Sequence, residues 1–309
     1  MRLSIVVPCY NCAGNIVELL QMFWSQRNSE VEFIIINDGS TDSSEYLIKR
    51  FMFDHPEGNF NFHSTPNAGA AAARTTGLTF ATGDYVFFCD SDDMIAHDFV
   101  ASVLENIKKN PDLIYFSSVM ASDSNEKGEI IDKIKFTHDD LYQCGNSFLY
   151  RQLQNKAYTA AVWTYIFRRE LVNESNAYFT ARKSHEDHLF TLRLIANAKS
   201  ILIISRELYI QKITPGSLTN SEKDVSYIYE RYSAFLESYN DMKSKFDKKT
   251  ISLYAQWSVI SFLSLLSESP SVIFKSRLFY SAFWKSRGIL LKTMSVVLSK
   301  KISKKIKMD

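Results

Sequence analysis

Cysteine is scarce in this chain, at four among 309 residues. That excludes a disulfide scaffold and matches the usage of a reducing compartment. Glycine (10) and proline (6) are also few, which excludes a collagen-like or linker-rich chain. The opening apolar run, Leu3–Val7, ends at Pro8, too short for the core of a secretory signal. No membrane span is expected either. Ile251–Ser267 is uncharged over 17 residues but holds five Ser and a Gln, short of the ~20 apolar residues a span needs. It reads as a buried or amphipathic helix.

What the chain does have is apolar and aromatic mass: 46% hydrophobic residues and 14% Phe, Tyr and Trp. This buries a substantial core in one large domain or two modest ones and excludes wholesale disorder. The net charge of +2 hides an asymmetry. Residues 271–309 hold ten Lys/Arg and one acid, Asp309, leaving 26 basic and 33 acidic residues for 1–270. The body is thus −7 and the tail +9. In residues 272–309 these charges interleave with Phe274, Phe279, Phe283, Trp284, Leu290 and Val297. A basic amphipathic helix of that kind suits an anionic membrane surface; a solvated helix or an oligomer contact uses the same pattern.

Strand and helix signals alternate over the first 120 residues. Leu3–Val7, Val31–Ile36, Phe60–His63, Tyr85–Cys89 and Leu113–Ser117 read as strands. Thr41–Phe53, Ala70–Phe80 and His97–Lys108 read as helices, and Ile16–Trp24 as another, opened by a capping box of Asn15 and Glu18. Buried strands alternating with helices imply a mostly parallel, doubly wound α/β sheet, whose ligands sit beyond the carboxyl ends of its strands. Residues 121–140 read as an exposed excursion. Residues 145–200 read as helices around a Trp-centred segment, Ala161–Leu171, followed by strand-like Ile201–Ile204 and Leu208–Ile210. Beyond Asn220 the reading is helical. The division expected is 1–220 for a catalytic domain and 221–309 for a helical region with the basic tail.

Polar punctuation falls at the strand ends. After Tyr85–Cys89 come Asp90, Ser91, Asp92 and Asp93. Three carboxylates within four positions repel unless a cation or several donors neutralise them, and hard oxygens suit Mg2+ or Mn2+ shared with substrate phosphates. A solvated turn before the next helix would look the same. Asp38-Gly39-Ser40 follows the second strand, where Gly39 permits a sharp turn and Asp38 can accept from a base N–H; an ordinary Asp-Gly turn is the plainer reading. In Asn67-Ala68-Gly69 and the Ala-rich helix after it, small residues allow close packing, and Arg74 presents a fixed cation for a phosphate or a carboxylate. Glu186 and Asp187 precede a helix, as a cap or as a positioned general base. Cys9 and Cys12 overlie a turn and have no second pair for zinc, so they read as incidental thiols.

Taken in order, these blocks resemble the family 2 glycosyltransferases of the GT-A fold over about residues 3–217. The matching segments are P-x-Y-N (Pro8, Tyr10, Asn11), D-G-S-x-D (Asp38, Gly39, Ser40, Asp42), N-x-G-x-x-x-A-R (Asn67, Gly69, Ala73, Arg74), D-x-D (Asp90, Asp92) and E-D (Glu186, Asp187). The resemblance implies a Rossmann-like sheet flanked by helices. It places Pro8, Tyr10, Asn11, Asp38 and Asn67 around the nucleotide, with Asp90, Ser91 and Arg74 on the same side of the site and Asp92 on a Mn2+ or Mg2+ ion. Asp187 would be the catalytic base, with Glu186 orienting acceptor or sugar. Trp163 fits a family segment as a platform for a sugar face, or as a core Trp. The family's Y-R-x-R-x-G-S is here Gln211-Lys212-Ile213-Thr214-Pro215-Gly216-Ser217, so Lys212 keeps one cation for the donor while Thr214 loses the second.

The resemblance further implies inverting transfer from a nucleoside diphosphate sugar, with UDP the expected nucleotide, to a glycan or lipid-linked glycan acceptor. Bacterial capsule or lipopolysaccharide synthesis is the setting, and the enzyme would work in the cytoplasm, peripheral on the inner face of the membrane. A nucleotidyltransferase would need a second carboxylate set and a basic channel, which an acidic body disfavours, and no nucleic-acid partner is expected. A non-catalytic nucleotide-sugar binding module is the other alternative; Asp90, Asp92 and Asp187 argue against it.

Overall fold

The computed structural model describes residues 1–122, 129–213, 223–268 and residue 288. Thr214, Gly216, Ser217 and the basic tail of 272–309, Gly288 apart, lie outside these residues. The chain opens with β1 (Leu3–Cys9), α1 (Ile16–Ser25), β2 (Val31–Asp38), α2 (Ser44–Asp54), β3 (Phe60–Thr65), α3 (Ala70–Phe80) and β4 (Tyr85–Phe88). It continues with β5 (Met94–Ile95), α4 (Phe99–Ile107), β6 (Leu113–Ser122), β7 (Glu129–Ile134), β8 (Asp140–Tyr142) and α5 (Gly145–Gln154). It ends with β9 (Tyr165–Arg168), α6 (Glu170–Ser175), α7 (His188–Asn197), β10 (Ile201–Ile213), α8 (Val225–Met242) and α9 (Lys248–Glu268).

The strands form one sheet in the order β3-β2-β1-β4-β9-β6-β10-β5, with β7 on β6 and β8 on β10. β1 pairs parallel with β2 and β4, β2 with β3, and β6 with β10. β9 lies antiparallel between β4 and β6, so those two run the same way. Six strands therefore share one direction, and the ends of β1, β2 and β4 open onto one edge.

Side chains of β1 alternate between the sheet's two faces. Val6 joins one cluster with Ile34, Ala73 and Phe88, whereas Ile5 and Val7 join another with Phe23, Phe33 and Phe99. Both faces are covered, which is why the strands read as unbroken apolar runs. The Val6 cluster also takes in Leu192, Tyr232, Phe235, Tyr254 and Phe262 from α7, α8 and α9. α8 and α9 are thus packed into the same core as the sheet.

The structure departs from the sequence reading at four places. Residues 121–140 are not simply an excursion, because β7 pairs antiparallel with β6 (Ser118 opposite Ile134) and β8 pairs with β10. The Trp-centred segment contains β9, a central strand. The two strand signals after residue 200 are one strand, β10, interrupted by bulges between Ile204 and Glu207 and between Glu207 and Tyr209. The capping box does not form: Asn15 makes no side-chain cap bond, and the Glu18 carboxylate instead accepts from Lys212 Nζ at 2.7 Å. An ion pair outcompetes a neutral reach back to the backbone.

Candidate functional site

The β1 and β2 loops are sewn together. Asn11 sits in the left-handed region at φ 49°, its N–H donates to Ser40 Oγ (3.0 Å) and its Oδ1 accepts from the Thr41 N–H (2.8 Å). The preceding Tyr10 is 52% exposed, its ring left open at the edge of the site. At the end of β2, Asp38 is buried and both its oxygens accept backbone N–H groups, of Ala68 and Gly69, at 2.8 Å each. These amides open α3, where the helix dipole favours an anion. Asn67 Nδ2 donates to the Asp38 carbonyl (2.9 Å). Gly39 allows this approach: at φ +68°, a Cβ there would stand 2.7 Å from the Asn67 nitrogen.

Arg74, on the second turn of α3, is 7% exposed. Its Nη1 donates to Glu186 Oε1 (2.7 Å) and its Nη2 to Asp90 Oδ1 (2.8 Å). The guanidinium thus bridges two carboxylates from different segments. Burial alone would loosen the Arg74 proton, but Asp90 and Glu186 hold it, and the pKa lies above the usual range.

The three aspartates after β4 have different surroundings. Asp90 faces Arg74, and its N–H donates to Tyr209 Oη (3.3 Å). Asp93 is buried and accepts from Tyr209 Oη (2.6 Å) and from the Lys212 N–H (2.8 Å). Burial, then the charges of Asp90 and Asp92, push Asp93 up to about 8 against the hydrogen bond from Tyr209. Asp92 is half-buried between them, and the nearby Cys9 and Cys12 thiols are buried and free. Lys212 spends its ammonium on Glu18. Trp163 is 9% exposed and stacks on Tyr209, with centroids 5.0 Å apart and planes at 12°. Its indole belongs to the buried cluster on that face of the sheet, as the core alternative expects.

Asp187 caps α7, its carbonyl accepting from the Thr191 N–H at 2.9 Å. Burial and then Glu186 push its carboxyl up to about 7, with Arg74 opposing. The loop before it is strapped to α8. Glu230 accepts from the Ser184 N–H (2.8 Å) and Oγ (2.6 Å), and Arg182 pairs with Glu237. On α7 itself, Arg193 forks onto Asp241 at 2.8 Å on both arms.

The fold thus brings the Asp38, Asn67, Arg74, Asp90, Glu186 and Asp187 segments to one edge. The sequence reading missed Asp93, Tyr209 and Glu230 as supports. Asp93 was visible as the third acid of its run, whereas Glu230 lies 46 residues from Ser184 and gave no signal. Among the described residues, no three His, Cys, Asp or Glu side chains converge to hold a metal ion. No described helix is long and apolar enough to cross a membrane.

The model of the family described as glycosyl transferase family 2 matches residues 4–175. The chain is 29% identical over 213 residues to the glycosyltransferase YibD of Escherichia coli (strain K12), covering 67% of this chain and 60% of YibD. It is 26% identical over 215 residues to the poly(ribitol-phosphate) beta-N-acetylglucosaminyltransferase TarS of Staphylococcus aureus, covering 68% of this chain and 35% of TarS. Each of these relatives is longer than the part matched. The crystal structure of TarS 1–349 with UDP-GlcNAc superposes with TM-score 0.68 at 20% identity, over 95% of this chain and 79% of that one. A mannosyltransferase from Pyrobaculum calidifontis with GDP-Man and Mn2+ gives 0.50 at 17% identity, over 94% and 80%.

Proposed function

Since the chain belongs to glycosyltransferase family 2 and has the GT-A fold, we propose that it performs inverting transfer of a sugar from a UDP-sugar to an acceptor hydroxyl in bacterial surface-glycan synthesis. The observation that carries the mechanism is the Asp187 carboxyl. It is held near neutrality by burial and Glu186, within a network fixed by Arg74. A base of that pKa is half-ionised at working pH and matched to its task. Asp187 takes the hydroxyl proton as the oxygen attacks the anomeric carbon, and the departing electron pair stays on the diphosphate. Attack opposite the leaving group inverts the centre. Asp38, braced by α3, holds the nucleotide with Pro8, Tyr10, Asn11 and Asn67; Asp90 and Ser91 border the donor. Lys212 serves by fixing β10 to α1 through Glu18. Positioning of this kind turns an encounter of two reactants into attack within one complex. The UDP-GlcNAc held by the TarS neighbour supports the choice of nucleotide.

A divalent ion fits the residues present. Asp90, Asp92 and Asp93 bring hard carboxylate oxygens together at the β4 tip, and an ion shared with a diphosphate needs only one or two protein carboxylates. Asp92 would hold Mn2+ or Mg2+, which when bound neutralises the leaving diphosphate; the Mn2+ of the mannosyltransferase neighbour supports this. Asp92→Ala is expected to weaken UDP-sugar binding about tenfold in Mn2+ and to abolish the difference between Mn2+ and EDTA. Calorimetry with a panel of nucleotide sugars reads this, and donor affinity indifferent to metal in the wild type would remove the ion. If no nucleotide sugar binds at all, the glycosyltransfer reading itself falls.

The acceptor of such an enzyme is a glycan or lipid-linked glycan, and the basic tail suits a peripheral place on the inner face of the cytoplasmic membrane. Each Lys or Arg near an anionic surface contributes about 1 kcal/mol. Full-length protein should float with anionic liposomes, and a chain ending at Ser271 should not; equal flotation would discard the tail as the anchor.

A further inference from the structure

A cavity of about 830 Å3 opens between α5, α8 and α9, lined among the described residues by Lys156, His185, Tyr227, Arg231, Leu253 and Trp257, with others. Arg231 is the unusual member. It is 2% exposed, and neither its Nη1 nor its Nη2 has a hydrogen-bond partner. The guanidinium lies over the Trp257 ring, 4.9 Å from the centroid. The three acids of its own helix are engaged elsewhere, Glu230 with Ser184, Glu237 with Arg182 and Asp241 with Arg193, and the Asp187 carboxyl acts on the guanidinium only through space. Two further nitrogens nearby are buried without a partner, His185 Nε2 and His188 Nδ1. The two rings are 5.4 Å apart, and His185 also meets Tyr227 at 4.6 Å. A buried cation with no hydrogen-bonded anion is costly, and so is a cluster of unmet polar nitrogens.

We propose that this cavity binds a phosphate group carried by the sugar acceptor, anchored by the Arg231 fork. Arg recognises phosphate through two parallel N–H donors. His188 meets the Trp257 ring that carries the guanidinium, centroids 6.0 Å apart, His185 lies beside His188, and Lys156 lines the exposed rim of the same cavity. Leu253 and Trp257 cover the carbon attached to the phosphate. His185 stands two residues before Asp187, on the loop held by Glu230, so a phosphate anchored here brings its neighbouring hydroxyl toward that base. The inference rests on the glycosyltransfer reading for the identity of the ligand as acceptor, and on the cavity alone for the anion.

The probe is phenyl phosphate, titrated into the full chain saturated with UDP so that the donor site is closed to it. Binding is followed by Trp fluorescence and by the His185 and His188 ring resonances. Wild type should saturate and shift both rings. Arg231→Gln should bind about 10- to 100-fold more weakly, the effect of losing a charged bidentate pair. Lys156→Glu, at an exposed rim position, should weaken binding by a smaller factor, and it carries the test if the buried substitution loses its melting transition. No saturable shift in wild type, equal affinity in both variants, or benzoate binding as tightly as phenyl phosphate would overturn the proposal. UDP-sugar binding is measured separately on the wild type. Failure there with phenyl phosphate still bound would sink the transfer reading and leave the anion site standing.

Discussion

Asp187→Asn is expected to lose sugar transfer by ~100- to 10,000-fold, the usual contribution of a general base, while donor affinity stays within about twofold. The amide keeps the size of the carboxyl and its place at the start of α7, but cannot take a proton. In the wild type, transfer should rise with pH through about 7 on the acid side, because only ionised Asp187 accepts the proton and its carboxyl is pushed up to about 7 by burial and Glu186. The same substitution should stabilise the fold, with a sign that can be fixed in advance. The folded-state pKa lies above the usual ~3.8 of the unfolded chain, so the folded protein binds this proton more tightly. Stability from this group is present below pH ~4 and lost as pH rises through 7. A neutral Asn escapes that loss, so the variant should melt higher than wild type at pH 8, by the equivalent of ~2–4 kcal/mol, with the gap closing toward pH 4. Activity near wild type would overturn the base assignment; a variant less stable at pH 8 would overturn the burial argument.

β1, β2 and β4 were legible because strands buried on both faces are largely apolar, and because their ligand-facing ends carry Asn, Gly and Asp; β3, at the sheet's margin and half-exposed, gave only a weak signal. Ala70–Phe80 was legible to the residue, since only small side chains let that helix lie close to β1 and β2. β9 was not: Tyr165–Arg168 is four residues long and sits inside a segment whose aromatics suit a helix equally well. β7 was hidden by Glu129, Asp132 and Lys133, charges that a strand at the margin of the sheet tolerates. In the site, Asp38, Arg74, Asp90, Asp92, Glu186 and Asp187 could be marked as special from the sequence, but their partners could not. Arg74 meets Glu186 across 112 residues, and Lys212 meets Glu18 across 194. Local pattern holds no record of such pairs; they exist only once the sheet has brought its loops to one edge. The tie between the Asp187 loop and α8 is of the same kind, and it joins α8 to the edge that carries the candidate site.

Arg74→Met should be the most damaging substitution outside the base. It keeps the buried length of the side chain but removes the one cation that spans Asp90 and Glu186. Breaking a buried pair from one side costs about 3–5 kcal/mol, because the remaining charges are left uncompensated. The melting transition should fall accordingly. Arg74 also opposes the rise of the Asp187 pKa, so its loss drives that carboxyl further up. At pH 7 the base is then mostly protonated, and transfer should fall ~10- to 100-fold by this route alone, with partial recovery at higher pH. Stability and activity thus move in opposite directions with pH in this variant: the fold is firmer as pH falls and Asp187 takes its proton, while turnover needs the proton gone. Adding Glu186→Gln removes one orphaned carboxylate and should return part of the lost stability, giving a coupling energy of ~1–3 kcal/mol in a double-mutant cycle. Should the two substitutions prove additive, Arg74 and Glu186 would not share an ion pair, and the site would have to be rebuilt around a different arrangement of charge.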